Sequence, residues 1–558
     1  MKALGSILGG LLLALALVSQ ASAVDLTPVI RLNSVGFLPD QTKQASLTVA
    51  TTNFSVIRRA DKSVAYTGTV STARTNADTG ESLFLADFST VKEAGIFYLL
   101  LPNGEVSAPF CINPRVYHEA FRTTMLGMYL WRCGTAVSAT EFGPERRGGG
   151  EFSHDVCHTN DAWLDHAGAT NTHRPSPGGW HDAGDYNKYV VNAGVTVGCM
   201  FRAWEDFGPA ISRIKLGLPG PPIAMPQFLK ELKWELDWLL TMQAEDGSVH
   251  HKVSTLKFGG FVMPEAETAK RYFTPWSSAA TASFVAMLAQ AARNLREFDA
   301  AYADHCLAAA RKSYAFLQAH LENHAADQSA FSTGGYPSRD EDDRLWAAAE
   351  LWETTGDTNA LRDFEQRAAG FSKKLDQTFD WGNVKNLGML TYLFSQLPGR
   401  DPALVKQVRE DLLATADQIV ATRDAHGYAR PLGTMYHWGG NGSVARQTVL
   451  LQAAFKISRK PEYRQTALDA LGYLFGRNYY GRSFVTGVGE NPPLHPHDRR
   501  SGADSVFAPW PGYLVGGPQR RATDWKDEQG DYRTNEIAIN WNGALIYALA
   551  GFLDGAGR

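Results

Sequence analysis

The densest run of reactive side chains is Gly178-Gly179-Trp180-His181-Asp182-Ala183-Gly184-Asp185-Tyr186-Asn187-Lys188-Tyr189. Asp182 and Asp185 stand three positions apart with a glycine between them, a spacing that suits a tight loop ahead of a helix. Held on one turn, the two carboxylates could share a water molecule. Each raises the proton affinity of the other, so one becomes a competent base near neutral pH. A helix cap beside a solvated turn has the same composition. A second run, Asp531-Tyr532-Arg533-Thr534-Asn535-Glu536-Ile537-Ala538-Ile539-Asn540-Trp541-Asn542, puts Glu536 at the opening of an apolar helix. A carboxyl group against Ile, Trp and Tyr is partly desolvated and keeps its proton. An acid favoured there by the helix dipole is the structural alternative. Between the two runs, Tyr480 to Gly487 and Asn491 to Arg499 place polar donors and rigid prolines in a long loop, shaped either for a site or for structure alone.

Metal-binding chemistry is also present. Cys133, Cys157, His158 and His181 offer two thiolates and two imidazoles, a closed tetrahedral set for zinc. A Cys133–Cys157 disulfide fits the same spacing in an exported protein. The acidic run Ser338-Arg339-Asp340-Glu341-Asp342-Asp343 ahead of Trp346 offers oxygen ligands for calcium, or a solvated helix start. Aromatic residues reach 11%, with 14 Trp. Trp180, Trp276, Trp346, Trp438, Tyr480 and Trp510 sit in or beside loops or at helix starts, where they either stack on sugar rings or pack between helices.

These residues need a large scaffold, and the chain has one: 558 residues, 44% of them hydrophobic and 20% charged. Whole-chain disorder is excluded. The formal charge of −4, with no long basic run, argues against nucleic-acid binding through phosphate contacts. Residues 1–23 read as a signal peptide, with Lys2, an apolar run from Ile7 to Val18, and Ala21-Ser22-Ala23 as the cleavage site. The run is short for a membrane span, so the mature chain is expected to be secreted or periplasmic and free of the membrane. Residues 24–112 hold short runs rich in Val, Phe, Tyr, Leu and Thr, at 45–49, 54–57, 63–66, 83–88 and 95–101, punctuated by Asp, Asn, Gly and Pro. That pattern predicts a small antiparallel β-sandwich, with Asn113-Pro114 as a hinge. From residue 113 to 558 the pattern turns helical. Apolar residues recur at helical spacing over 228–240, and Ala-rich segments follow at 276–294, 300–321, 343–355, 359–375, 403–421, 443–458, 461–475 and 536–553. With 116–131 and 188–206 they make about a dozen helices, arranged as a closed ring of helix pairs or as two bundles.

Three motifs in order resemble glycoside hydrolase family 9, the inverting cellulases: residues 178–194, the Val485-Thr486-Gly487…Asn491-Pro492-Pro493…His497-Asp498-Arg499 loop, and residues 535–542. Arg31-Leu32-Asn33-Ser34-Val35-Gly36-Phe37-Leu38-Pro39 is similar to the opening of the immunoglobulin-like domain that precedes many of these catalytic domains. The resemblance implies an (α/α)6 barrel behind an immunoglobulin-like sandwich. It implies Asp185 as general base, Asp182 as the carboxylate that helps hold the water, and Glu536 as general acid. His497 and Arg499 would contact sugar hydroxyls, with Tyr532 near the acid; Trp180, Trp346 and Tyr480 are the aromatic candidates for sugar stacking. The same resemblance favours structural zinc at Cys133, Cys157, His158 and His181, and offers calcium at Asp342 and Asp343. No organic cofactor is expected. Many relatives read His-His-Arg where this chain has His497-Asp498-Arg499, which places an extra carboxylate either toward a subsite or toward solvent.

The function implied is an inverting endo-β-1,4-glucanase acting, most simply as a monomer, on β-1,4-glucan polymers or oligosaccharides. An exo-acting β-glucosidase or β-glucosaminidase of the same family is the enzymatic rival, although the intact His181-Asp182-Ala183-Gly184-Asp185 form of the base loop favours glucan. A non-catalytic polysaccharide-binding protein would not need all three carboxyl positions filled.

Overall fold

The computed structural model describes residues 27–139, 152–164, 172–219 and 224–556, so the signal-peptide expectation for 1–23 lies outside the described residues. Two sheets pack face to face at the N-terminal end. One has the order β1 (Ile30–Arg31), β3 (Gln44–Leu47), β7 (Ser82–Asp87), β6 (Arg74–Thr75); the other has β2 (Gly36–Phe37), β9 (Phe110–Ile112), β8 (Gly95–Leu100), β4 (Asn53–Arg58), β5 (Val64–Thr69). All pairings are antiparallel except β2 with β9. Alternation along β4 turns Phe54 and Val56 inward, because successive strand side chains point to opposite faces. They join Phe37, Phe88, Phe97 and Phe110 in a core separate from that of the helical region. Phe37 meets Phe88 and Phe110 edge-on at 5.2 and 5.3 Å, the arrangement favoured by the ring quadrupoles.

The helical region is built from α1 (His118–Leu130), α2 (Val190–Ile211), α3 (Gln227–Thr241), α4 (Ser278–Leu295), α5 (Ala300–Ala319), α6 (Glu341–Thr355) and α7 (Thr358–Ala369). It continues through α8 (Lys385–Phe394), α9 (Pro402–Ala425), α10 (Gly440–Ser458), α11 (Pro461–Leu474), α12 (Arg499–Ala503), α13 (Tyr532–Asn535) and α14 (Ile539–Ala550). Helices α2, α4, α6, α8, α10 and α14 are buried on nearly every face. Within this inner ring α2 packs on α4, α4 on α6, α6 on α8, α10 on α14, and α14 on α2, while α9 packs on both α8 and α10. The outer partners α1, α3, α5, α7, α9 and α11 keep one polar side. This is the closed ring of helix pairs, not two bundles. Helix α8 stands apart from the Ala-rich segments because it is only ten residues long and holds no Ala. Gly388 within it approaches α6 so closely that a Cβ would lie 2.9 Å from the Trp346 Cα.

Asn113-Pro114 is not a free hinge. The Asn113 N–H donates to the Phe37 carbonyl, and the sandwich is fastened to the barrel by buried polar contacts. Ser34 N–H donates to Phe475 O at 3.0 Å, Gly427 N–H to Asn76 Oδ1 at 3.0 Å, and Arg477 Nε to Ser46 Oγ at 3.1 Å. Asp78 accepts from His426 at 3.0 Å and from the Tyr436 hydroxyl. Replacing Asp78 by Ala strands two buried donors, and an unsatisfied buried group costs about 1–3 kcal/mol. Asp78→Ala is therefore expected to lower stability by about 1–3 kcal/mol in chemical denaturation.

Candidate active site

A cleft of about 720 Å³ opens among the loops that join the inner helices, and Asp182, Asp185 and Glu536 all line it. The loop carrying the two aspartates is held from several sides. Buried Lys188 donates to the Ser176 and Gly178 carbonyls, both at 2.9 Å, and pairs with Asp161 at 3.1 Å. Gly178 and Gly179 adopt φ of 85° and 75°, backbone that favours glycine. The Asp182 carbonyl accepts from Ile539 N–H at 2.9 Å, which ties the loop to the start of α14.

The three carboxyl groups differ in environment. Asp182 is buried, and both its oxygens are engaged: Oδ1 by Asn192 Nδ2 at 2.7 Å and Oδ2 by the Tyr336 hydroxyl at 2.6 Å. Burial, then the charge of Asp185, push its pKa up to about 8. Asp185 Oδ2 accepts from Asn187 Nδ2 at 2.5 Å and from the Tyr189 hydroxyl at 3.2 Å, while no donor from the described residues is seen on Oδ1. Burial raises its proton affinity as well, opposed by Arg499 and Asn187. Glu536 is held well above the usual carboxylate range by burial first, then by Asp185 and Asp182. It does not open a helix, contrary to the sequence expectation. It lies in extended backbone (φ −71°, ψ 158°) between α13 and α14 and runs beside His497 as a parallel bridge. Burial first, and crowding by like charge second, set its proton affinity, not a helix dipole.

The His497 loop closes the other wall. His497 Nδ1 lies 2.7 Å from the Gln529 carbonyl; with the proton on Nδ1, Nε2 remains an acceptor. Arg499 N–H donates to Gly184 O at 3.1 Å, and the Arg499 side chain pairs with Glu267 at 2.7 Å. Asp498 turns to neither subsite nor solvent. It is buried, caps α12 and pairs with Arg500 at 3.0 Å.

Aromatic placement corrects several expectations. Tyr532 is 49% exposed beside Trp438, ring centroids 5.6 Å apart, and both line the cleft. Trp180 and Trp346 are 1% and 0% exposed and donate to Glu231 and Glu350, so neither can stack on a sugar. Trp510 is likewise buried, and Trp276 stacks on His324 at 3.8 Å. Tyr480 packs on Trp525 and lines a separate cavity. Phe258, Phe261, Tyr336 and Trp381 line the cleft instead. They were missed because they lie outside the dense motifs, on connecting segments with no local signal.

Cys133, Cys157, His158 and His181 converge, with one ligand atom from each all within 4.8 Å of one another. Cys133 Sγ is 3.6 Å from His158 Nδ1, and Cys157 Sγ is 3.7 Å from His181 Nε2. Tetrahedral zinc with typical Zn–S and Zn–N lengths separates such atoms by about 3.6 Å, so the donor set fits. Both cysteines are free thiols, which leaves the disulfide alternative unsupported. Asp342 and Asp343 lie side by side at the start of α6, buried. Asp342 accepts from the Val384 N–H and Asp343 from the Ser283 hydroxyl, both at 2.6 Å. Among the described residues no third carboxylate joins them, and calcium takes six to eight oxygens.

A family model for glycosyl hydrolase family 9 matches residues 117–549, and one for the cellulase N-terminal ig-like domain matches residues 25–106. "Endoglucanase D" of Acetivibrio thermocellus is 56% identical over 528 residues, covering 94% of this chain and 83% of that protein. The crystal structure of a metagenome-derived glycoside hydrolase family 9 endoglucanase superposes with a TM-score of 0.87 at 32% identity, covering 94% of this chain and 99% of that one. A zinc-binding triple mutant of another family 9 endoglucanase gives a TM-score of 0.85 at 31% identity, covering 92% and 99%.

The junction of the two loops has a direct test. A Cβ on Gly184 would sit 2.2 Å from the His497 carbonyl oxygen. Gly184→Ala is expected to cost about 1–3 kcal/mol as overpacking. It should also speed hydrogen exchange at the Arg499 amide, whose acceptor is Gly184 O.

Proposed function

The chain belongs to glycosyl hydrolase family 9 and is an endo-β-1,4-glucanase, and from that premise we propose that it cleaves β-1,4-glucan by inversion, with Asp185 as base and Glu536 as acid. The observation that carries the reading is the unequal use of the three carboxyl groups. Asp185 keeps one oxygen clear of any described donor, as a base that takes a proton from water requires. Burial and like charge hold Glu536 well above the usual carboxylate range, the direction that an acid protonating the leaving oxygen requires. Asp182, held through both oxygens, helps to orient the water. Inversion places acid and base on opposite faces of the sugar, about 6.5–9.5 Å apart, and here they come from two separate segments that both line the cleft. His497 and Arg499 bind sugar hydroxyls beside the scissile bond; Tyr532 and Trp438 offer faces to neighbouring glucose rings. The chain acts after export, as its N-terminal residues imply.

In the metal centre, Cys133, Cys157, His158 and His181 would hold zinc. Bound there, zinc supplies structural cross-linking and no water activation, since four protein ligands fill a tetrahedral site. His181 adjoins Asp182 in sequence, so the centre would brace the base loop.

Glu536→Gln keeps shape and loses the acidic proton. Turnover on cello-oligosaccharides is expected to fall at least about 10²-fold, with the alkaline limb of the pH profile lost. In the wild type that limb reports deprotonation of Glu536, so the rate falls as pH rises through its raised pKa. Proton NMR of early wild-type product should show the α-anomer; initial β-anomer would exclude inversion. For the metal, elemental analysis should find about one zinc per chain, and Cys157→Ser should remove it and lower both melting temperature and turnover.

A further inference from the structure

Glu267 follows a short 3-10 turn at Pro264–Ala266, and its side chain is 5% exposed. Its two oxygens go to different places. Oε1 accepts from Arg499 Nη1 at 2.7 Å, and Arg499 lines the cleft. Oε2 lies 3.4 Å from His158 Nε2. Both atoms are buried and neither has a hydrogen-bond partner, so the 3.4 Å approach is an ion-pair contact in which each is left open to the other. The other nitrogen of the same ring, Nδ1, faces Cys133 Sγ at 3.6 Å. The imidazole therefore turns one nitrogen into the Cys/His centre and the other toward a buried carboxylate. That arrangement fixes a ligating ring and raises its basicity.

We propose that Glu267 is a positioning residue joining the metal centre to the cleft, holding Arg499 with one oxygen and the outer nitrogen of His158 with the other. The proposal rests on the zinc and sugar-binding assignments above. The Arg499 guanidinium donates to Oε1, and with Nδ1 turned to a metal the His158 ring carries its proton on Nε2, facing Oε2, so both oxygens are called on as acceptors. Only a carboxylate does this; an amide of the same shape has one acceptor and one donor, and sets one pair donor against donor. The space is closed on the other side, where a Cβ on Gly259 would fall 2.8 Å from Glu267 Oε1. Arg499 is held twice as a result, by its side chain on Glu267 and by its backbone N–H on Gly184 O between the two aspartates.

The test uses Glu267→Gln in the full chain. Zinc affinity is read by competition with a chromogenic chelator, and KM and kcat are read on a soluble cello-oligosaccharide. The expected result is zinc binding weakened about 10–100-fold, together with KM raised about tenfold and a smaller change in kcat, the signature of lost ground-state binding. A residue that merely supports the fold would lower the melting temperature without that split. Weaker zinc with unchanged KM overturns the link to the cleft while leaving the zinc assignment standing. Raised KM with unchanged zinc affinity overturns the link to the metal. Wild-type protein that binds no zinc removes the metal assignment itself, before any variant is compared. Should the amide variant fail to fold, Glu267→Asp carries the same readouts, since a carboxylate one methylene shorter cannot span both partners. Both values unchanged in that variant would overturn the proposal.

Discussion

Burial raises the proton affinity of Asp182, Asp185 and Glu536, and with the screening water removed the charge of Asp185 adds to it at Asp182, and those of Asp185 and Asp182 at Glu536. Left alone, such a group of acids would spread apart or collapse toward neutrality. The surrounding structure holds them in place by assigning each a different set of donors. Asn192 and Tyr336 take up both oxygens of Asp182, while Asn187 and Tyr189 take up one oxygen of Asp185. The asymmetry separates the roles of two identical side chains on one loop.

Two rigid supports keep that loop from relaxing. Beneath it, Lys188 bonds backward to the Ser176 and Gly178 carbonyls, Trp180 packs toward α3 through its bond to Glu231, and Trp346 packs between the inner helices α2 and α8. Above it, Gly184 meets the His497 loop so closely that no side chain fits between them. Core tryptophans in a carbohydrate enzyme are easily taken for sugar platforms. Here their indole N–H groups donate to buried carboxylates, and their faces are spent on helix packing.

The Cys/His cluster lies on the far side of the same loop, with His181 as the shared residue. Glu267 reaches from that cluster to the opposite wall of the cleft. Polar groups buried this deeply are costly unless each finds a partner. The chain places cations and carboxylates in contact throughout this region: Arg271 with Asp161, Arg499 with Glu267, and Arg500 with Asp498.

Much of this was legible in the residues alone. The change from short runs rich in Val, Phe, Tyr, Leu and Thr to helical patterning after residue 113 predicted a β-sandwich ahead of a helical region. The carboxyl groups, the His497 loop and the four Cys/His residues stood out as dense runs of reactive and metal-ligating residue types. Other features depended on neighbours distant in the chain. Helix α8 was not legible because its ten residues hold no Ala and span under three turns. Glu536 looked like a helix start and proved to be an extended residue pinned beside His497. Asp498 looked free and proved to be paired with Arg500. Tyr336 and Glu267 come from connecting segments, more than 80 residues along the chain from the carboxylate loop they serve. Residue type and spacing determined which chemistry this chain carries. Which oxygen accepts from which donor, and which aromatic face meets solvent rather than core, was decided only when the ring closed and brought those segments together.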